Sequence, residues 1–182
     1  MNDEKNKLAG TTLDQDDKLL LVIRHAKSSW DIATLNDFER PLNERGKKDA
    51  PMMAKRLLDK KIAIDNFVSS PAKRAKKTAR LFAEEFERKK EEIILIPELY
   101  HASVQVFFEA ISNVDDIYKS IAVFSHNPGI TSFANELTEN NKIDNMPTCS
   151  VFAVRCHIEN WCDFKTAKKD FWFFDYPKNV AD

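Results

Sequence analysis

The chain has 182 residues, a length that fits one ordinary domain with a full hydrophobic core. Its apolar fraction of 43% and charged fraction of 31% are typical of a globular protein, and its formal net charge of -1 excludes a global attraction to nucleic acid or to a membrane surface. The polar start gives no sign of a signal peptide, and no apolar stretch is long enough to form a membrane-spanning helix. We therefore expect a cytoplasmic protein.

Alternating apolar runs and helical patterns begin after a polar, aperiodic segment over 1–17, which predicts a disordered tail followed by a single domain over 18–182. Strands and helices that alternate in this way predict an α/β fold of three layers, with a mostly parallel central sheet between helices. The predicted strands are 19–23, 62–68, 93–96, 121–124, 151–155 and 171–174; the predicted helices are 50–58, 72–86, one from near 103 and 130–137, with a long loop over 24–45.

Two helix starts carry recognisable capping residues. Ser69 or Ser70 is expected to cap the second helix, since serine hydroxyls accept hydrogen bonds from free backbone amides there. Asn127-Pro128 predicts an N-cap followed by proline at the first helical position of the last helix.

Polar side chains stand at the carboxyl ends of the predicted strands, where open α/β sheets keep their ligand sites. Arg24 and His25 follow the first strand, His126 follows the fourth, and Arg74 lies in the first turn of the helix after the second. We expect these four side chains to meet in one crevice.

The chemistry of this set suits a phosphoryl group. Guanidinium groups donate forked hydrogen bonds to phosphoryl oxygens, and a neutral imidazole is a competent nucleophile near neutral pH. A protonated second histidine and the helix N-termini near Ser70 and Asn127 would add positive potential. Taken singly, each residue fits a structural or solvated role equally well. The residues alone therefore predict an anion-binding α/β domain, with a histidine nucleophile as one option inside it.

Three cysteines, Cys149, Cys156 and Cys162, show no CxxC pair and no zinc spacing. Reduced thiols are expected, without a disulfide framework. We expect no metal and no other cofactor.

Four segments between Lys18 and Leu137 together resemble the histidine phosphatase superfamily and, within it, the small SixA-like protein-phosphohistidine phosphatases. A single short motif has a real false-positive risk, whereas four in family order are specific. The resemblance implies the phosphoglycerate mutase-like form of the three-layer fold. The segments are Leu21-Val22-Ile23-Arg24-His25-Ala26-Lys27-Ser28, Asp37-Phe38-Glu39-Arg40-Pro41-Leu42 with Gly46, Ser69-Ser70-Pro71-Ala72-Lys73-Arg74-Ala75 with Thr78-Ala79, and Ser125-His126-Asn127-Pro128-Gly129.

The resemblance also implies roles for the residues that match. His25 would be the nucleophile, and the phosphoryl group would be held by Arg24, Arg74 and His126. Further substrate contacts are expected from Lys27, Asp31 and Arg40.

Two departures from the family pattern affect the expected site. Ser125 stands where the family usually has glycine, which would tighten the turn or add a hydroxyl to the pocket. Glu98 is a candidate general acid in a region where larger relatives carry a glutamate, although a solvated carboxylate is an equally good interpretation. A missing acid would suit a phosphoramidate, whose leaving nitrogen is already basic.

The leading hypothesis is a metal-independent phosphohydrolase that releases inorganic phosphate from a phosphohistidine protein. Alternatives are a small-molecule phosphomonoesterase that acts on a phosphate ester and a non-catalytic phosphate-binding module. A mutase is disfavoured because the segment from Arg74 to His126 lacks the long insertion of mutases. Residues 40–90 hold sixteen Lys and Arg against seven Asp and Glu, yet without interleaved exposed aromatics we expect no nucleic-acid partner.

Overall fold

The computed structural model describes residues 17–30 and 34–179, and its strands form one sheet flanked by helices. The strands are β1 (Asp17–Arg24), β2 (Asn66–Ser69), β3 (Ile93–Leu95), β4 (Ser120–Ser125), β5 (Val151–His157) and β6 (Lys169–Asp175). The helices are α1 (Glu44–Asp59), α2 (Lys73–Glu85), α3 (Val104–Ser112) and α4 (Gly129–Leu137). Short 3₁₀ turns span Asp37–Glu39, Lys90–Glu92, Pro97–Leu99 and Trp161–Asp163.

The strand order is β3-β2-β4-β1-β5-β6. The first four strands in that order run parallel, whereas β5 and β6 are antiparallel additions at one edge. The predicted mostly parallel α/β sheet is thereby confirmed. The carboxyl ends of β1, β2 and β4 lie side by side, which is the edge where a ligand site is expected.

Strand residues bury alternate faces of the sheet against different helices, which produces the three layers. In β1, Leu19, Leu21 and Ile23 pack in a cluster with α1 and α2, while Leu20 and Val22 pack in a second cluster with α3 and α4. This split follows from the two-residue period of a strand, and it explains why β1 reads as one continuous apolar run.

The structure corrects several predicted boundaries. Helix α1 begins at Glu44, not near residue 50, because the Asn43 side chain caps it by accepting a bond from the Gly46 amide at 2.9 Å. Strand β2 occupies only the end of the predicted 62–68 segment and continues to Ser69, while Ile62 and Ile64 are buried without being strand residues.

Both predicted capping arrangements are wrong. Helix α2 has Ala72 at its N-cap and no side-chain cap. The Ser70 hydroxyl accepts from the amide of Ala72 itself at 3.3 Å, ahead of the first helical residue, and it also bonds His126. Helix α4 starts at Gly129 with Pro128 as N-cap, so that proline is not the first helical residue.

Of the predicted tail, residues 1–16 lie outside the described residues, and Asp17 is the first residue of β1. The single domain over 18–182 stays a prediction. Across the described ranges, every helix is too short or too polar to cross a membrane.

Candidate active site

The ends of two neighbouring parallel strands bring the two predicted histidines together. Arg24 is aligned with Ser125 in the β1–β4 register, and the His25 amide donates to the Ser125 carbonyl at 3.0 Å. The side chains of His25 and His126 follow these strand ends, with ring centroids 5.0 Å apart. Both rings are almost fully buried.

The hydrogen bonds of His25 fix which ring nitrogen carries the proton. Nδ1 lies 2.7 Å from the Ala26 carbonyl, which can only accept, so Nδ1 is the protonated nitrogen. Nε2 accepts a hydrogen bond from Arg74 Nε at 3.2 Å, which requires a lone pair at Nε2. The two bonds select the same neutral tautomer, in which the unprotonated Nε2 directs its lone pair toward Arg74.

Burial, together with the positive charges of Arg74, Arg24 and Arg40, lowers the pKa of His25 to about 3, although the hydrogen bond to the Ala26 carbonyl acts in the opposite direction. The ring is therefore neutral at ordinary pH. A neutral imidazole whose lone pair faces guanidinium groups is a nucleophile placed inside an anion site.

We expect kcat/KM, corrected for ionisation of the substrate, to show no acidic limb near pH 6.5. The Nε2 lone pair is lost to a proton only as the pH falls through the folded pKa of His25, about 3. Because kcat/KM reports the groups of the free enzyme, it should not fall by more than about twofold between pH 7 and pH 5. The measurement is a pH series with a generic aryl phosphate. A limb with an apparent pKa of 6.5 that belongs to His25 would contradict this geometry.

Arg74 links the nucleophile to a carboxylate that the sequence did not single out as functional. Its Nη2 donates to Asp37 Oδ2 at 2.8 Å, and its Nη1 donates to the Asp37 carbonyl. Thr78 holds the helix that carries Arg74 against the nucleophile segment, since its hydroxyl donates to the Arg74 carbonyl at 2.7 Å and accepts from the Ala26 amide at 3.0 Å. Arg74 is 4% exposed.

Asp37 collects three donors. Tyr100 Oη donates to Oδ2 at 2.8 Å, and Arg40 Nη1 donates to Oδ1 at 2.9 Å, in addition to the bonds from Arg74. Partial burial raises the pKa of the Asp37 carboxyl, but the hydrogen bonds from Tyr100, Arg74 and Arg40 outweigh it and hold that pKa well below its usual range. Asp37 is therefore an ionised counter-charge and a poor proton donor.

Arg40 lies beside the cage with its donors already engaged. Besides Asp37, it donates to the Ser28 hydroxyl at 2.7 Å and to the Ser29 carbonyl at 3.2 Å, and its guanidinium stacks on the exposed Trp30 ring. This placement suits a residue that positions the loop. Lys27 is half-buried. Its carbonyl oxygen packs against Gly46, where a Cβ added to the glycine would lie only 2.2 Å from that oxygen. Asp31 lies outside the described residues.

His126 and Arg24 each offer a buried nitrogen without a hydrogen-bond partner in the described part of the chain, Nδ1 of the histidine and Nε of the arginine. Arg24 is anchored by Nη1, which donates to the Met146 carbonyl at 2.6 Å, and His126 Nε2 bonds Ser70 Oγ at 2.8 Å. Burial lowers the pKa of His126 to about 2, helped by the neighbouring His25 and Arg74. The predicted protonated second histidine is therefore not the resting state of this site.

Ser125, which stands where the family usually has glycine, does not add a hydroxyl to the pocket. Its Oγ donates to the Leu99 carbonyl at 2.7 Å and is fully buried. The hydroxyl thus ties the end of β4 to the Pro97–Leu99 turn.

Ser125→Ala should lower the free energy of unfolding by about 1–2 kcal/mol, because it leaves the buried Leu99 carbonyl without its donor. Turnover of an aryl phosphate should stay close to that of the wild type. Urea unfolding followed by circular dichroism measures the first effect. Ser132→Ala, which removes an exposed hydroxyl on α4, is the matched control. A large loss of turnover at unchanged stability would place the Ser125 hydroxyl in the reaction instead.

Glu98 stands apart from the cage. It is exposed and lines a cavity of about 620 Å³ between the β3 edge of the sheet and α3, together with Val68, Ile96 and Val106. His25, Arg24, Arg74 and His126 do not line that cavity. Glu98 therefore lines a different surface of the protein from the one formed by these four residues.

Sequence reasoning missed Asp37, Tyr100 and Thr78 as parts of the site. Asp37 and Thr78 stand inside two of the segments that carry the family resemblance, so their positions were visible although their contacts were not. Tyr100 is brought to Asp37 by the Pro97–Leu99 turn after β3. No local sequence pattern predicts the contact between Tyr100 and Asp37.

Arginine predominates in this site. The site contains Arg24, Arg40 and Arg74 and two neutral imidazoles, and its one partly exposed carboxylate, Asp37, pairs with Arg40 and Arg74. Within 17–30 and 34–179, no group of three or more His, Cys, Asp and Glu side chains is arranged to hold a metal ion. The arrangement can bind a tetrahedral oxyanion against the Nε2 lone pair of His25, which defines the class of a phosphoryl-transfer enzyme with a histidine at its centre.

Comparison with known proteins relates the chain to a family of this class. The family model described as Histidine phosphatase superfamily (branch 1) matches residues 20–107. Over these residues the chain is similar to the histidine phosphatase superfamily, and this similarity supports a phosphatase activity.

Individual relatives are distant in sequence and close in fold. The structure of the protein histidine phosphatase SixA complexed with tungstate has a TM-score of 0.74 at 22% identity and covers 88% of this chain and 98% of that chain. The native structure of the mycobacterial glucosyl-3-phosphoglycerate phosphatase has a TM-score of 0.60 at 14% identity. The match covers 86% of this chain and 98% of that chain. An uncharacterized chloroplastic protein of Arabidopsis thaliana is 26% identical over 150 residues, 78% of this chain and 68% of that protein.

Proposed function

We propose that the protein hydrolyses phosphohistidine in another protein, through a phosphoryl group carried transiently on His25 Nε2. The observation that carries the proposal is the pair of bonds that fixes the His25 tautomer, with Nδ1 bound to the Ala26 carbonyl and Nε2 turned toward Arg74. A nucleophilic lone pair and a guanidinium fork therefore face the same small space.

Binding of the phosphoryl group would use Arg24, Arg74 and His126. The unpartnered Arg24 Nε gains an acceptor when an anion enters, and Arg74 Nε can move from His25 to a phosphoryl oxygen. A bound dianion also favours protonation of His126, since it offsets the burial and positive charge that keep that ring neutral. These interactions strengthen as charge develops on the transferring group, which is how they would accelerate the reaction.

The reaction would proceed in two displacements at phosphorus. In the first, the His25 Nε2–P bond forms while the bond from phosphorus to the substrate nitrogen breaks, and that nitrogen leaves as a neutral imidazole after taking a proton. In the second, water attacks the phospho-His25, the N–P bond breaks, and inorganic phosphate departs with His25 returned to its neutral form.

The absence of a well-placed acid favours a P–N substrate. Asp37, the carboxylate that contacts the cage among the described residues, is held ionised by three donors, and Glu98 lines a separate cavity. An alkyl phosphate needs a proton on its leaving oxygen, whereas an imidazole leaving group is basic enough to gain one from solvent. A small-molecule phosphomonoesterase with Glu98 as acid is the second candidate, since the fold is also that of the glucosyl-3-phosphoglycerate phosphatase.

The test compares kcat/KM for a phosphohistidine peptide with a panel of phosphomonoesters, at equal enzyme concentration and with EDTA present. We expect the peptide to exceed the best alkyl ester by about a hundredfold, the scale on which a missing general acid acts, and Glu98→Gln to change neither rate. EDTA should have no effect. A preferred sugar phosphate whose turnover falls in Glu98→Gln would favour the second candidate. Phosphate binding without turnover of any substrate would indicate a non-catalytic module. The cytoplasmic location stays a prediction.

A further inference from the structure

A groove with a strongly basic lining lies along α2. It has a volume of about 410 Å³, and one wall is formed by the segment that includes Phe38 and Pro41. The cations that line it are Lys47 from α1 and Lys73, Lys76, Lys77 and Arg80 from α2; Glu39 is the one acidic residue in the lining. We call these five cations and the space between them the α2 groove.

Four of these cations lack an acidic partner. Among the described residues, no carboxylate lies within ion-pair distance of Lys73, Lys76, Lys77 or Arg80. Other surface cations of the same region are paired, as in Arg45–Asp49, Lys55–Glu85 and Arg88–Glu92. The groove therefore concentrates uncompensated positive charge next to the site.

The α2 groove adjoins the anion cage through Phe38 and Tyr100, since Tyr100 donates to Asp37 of the cage. Lys73 precedes Arg74, and Phe38 follows Asp37 and packs edge-on against Tyr100 with ring centroids 5.1 Å apart. A polypeptide whose phosphorylated side chain enters the cage could therefore reach this groove with a neighbouring segment.

The cations are spaced for a helix. Lys73, Lys76, Lys77 and Arg80 occupy positions i, i+3, i+4 and i+7 of α2, so they form one stripe about 10 Å long. Carboxylates with the same spacing on a partner helix would match this stripe. The groove wall also offers Phe38, Pro41, Leu42 and Pro71, which suit the apolar groups of a peptide.

We propose that the α2 groove docks an acidic helical segment of the phosphorylated protein, next to the residue that carries the phosphoryl group. The inference rests on the proposed function for its substrate, but the groove itself can be tested without turnover. Nucleic acid is the competing partner, and it fits less well because the lining holds one aromatic ring, Phe38, where a single strand needs successive stacking platforms.

The first experiment measures binding by fluorescence anisotropy with the full chain and an unphosphorylated helical peptide that carries Glu at i, i+3, i+4 and i+7. A matched peptide carries Gln at those positions. We expect the Glu peptide to bind about tenfold more tightly at low salt, and the difference to disappear in 0.5 M NaCl. Lys76→Gln/Lys77→Gln should abolish the preference. Lys165→Gln/Lys168→Gln, two exposed lysines beside α4 on the other face of the sheet, should retain it.

The second experiment measures turnover of phosphohistidine versions of the two peptides. The wild type should prefer the Glu version by a similar factor in kcat/KM, the groove variant should not, and all proteins should hydrolyse a small aryl phosphate equally. Equal binding of the two peptides by the wild type, or the same preference in the groove variant and its control, would overturn the docking proposal. So would tighter binding of a single-stranded oligonucleotide than of the Glu peptide. Selective binding without turnover of phosphohistidine would refute the proposed substrate and support the groove.

Discussion

His25→Ala is expected to lose at least about 10⁴-fold in kcat on any phosphoryl substrate, while the protein stays folded. The variant removes the Nε2 lone pair that faces Arg74, and the proposed mechanism uses His126, whose Nε2 is bound to Ser70, for binding the phosphoryl group and not as a second nucleophile. Circular dichroism tests whether the variant is folded, and a stopped assay with an aryl phosphate measures its kcat.

The control for that variant is His157→Ala. His157 lies at the end of β5, where it bridges Asp17 and Asp170 with two 2.7 Å contacts, and it takes no part in the cage. Its loss should leave turnover near that of the wild type. Rapid quenching with a labelled substrate should trap a phosphoenzyme that is stable in base and labile in acid in the wild type, and none in His25→Ala. Turnover or labelling retained in His25→Ala would refute the mechanism.

Arg74→Lys carries the second-largest expected effect, a loss of about 10²–10³-fold in kcat/KM. Lysine keeps the positive charge but cannot donate to His25 Nε2 and to the Asp37 carboxylate and carbonyl at once, which the planar guanidinium does. We expect most of the loss in kcat, because the fork stabilises charge that develops during transfer.

Arg80→Lys is the matched control, since it makes the same substitution on α2 at a half-buried position outside the cage. A small aryl phosphate should be hydrolysed by that variant at the wild-type rate. If Arg74→Lys raised KM alone and left kcat unchanged, Arg74 would contribute only to binding of the substrate. Its guanidinium would then not stabilise the transition state.

The predictable part of this site is the part that strand ends determine. The apolar run before Arg24 and the one before Ser125 identify two buried parallel strands, and neighbouring parallel strands place their carboxyl ends together. His25 and His126 could therefore be brought together from the sequence. The resemblance to the phosphatase family followed from motifs, since composition and periodicity alone predicted only an anion-binding domain.

The missed part depends on long-range contacts that no local pattern encodes. Ser70 was predicted to cap α2, yet its hydroxyl is recruited by His126, and Asp37 reads as one acidic residue in a loop until Tyr100 and two arginines converge on it. Glu98 was a candidate because of its position in the chain, but in the folded protein its side chain lines a cavity that the four cage residues do not line. Sequence spacing specifies backbone elements better than it specifies which side chains meet.

The contact between the Asp37 carboxylate and Arg74 also affects the release of product. This carboxylate is tethered at the guanidinium of Arg74 and behaves as an internal anion at an effective concentration on the order of millimolar. Inorganic phosphate left in the cage must compete with that internal anion for the same donors, so Asp37 regains Arg74 as the product departs. Turnover would then not stall on a tightly held product, and the empty site would not leave a buried guanidinium without a counter-charge.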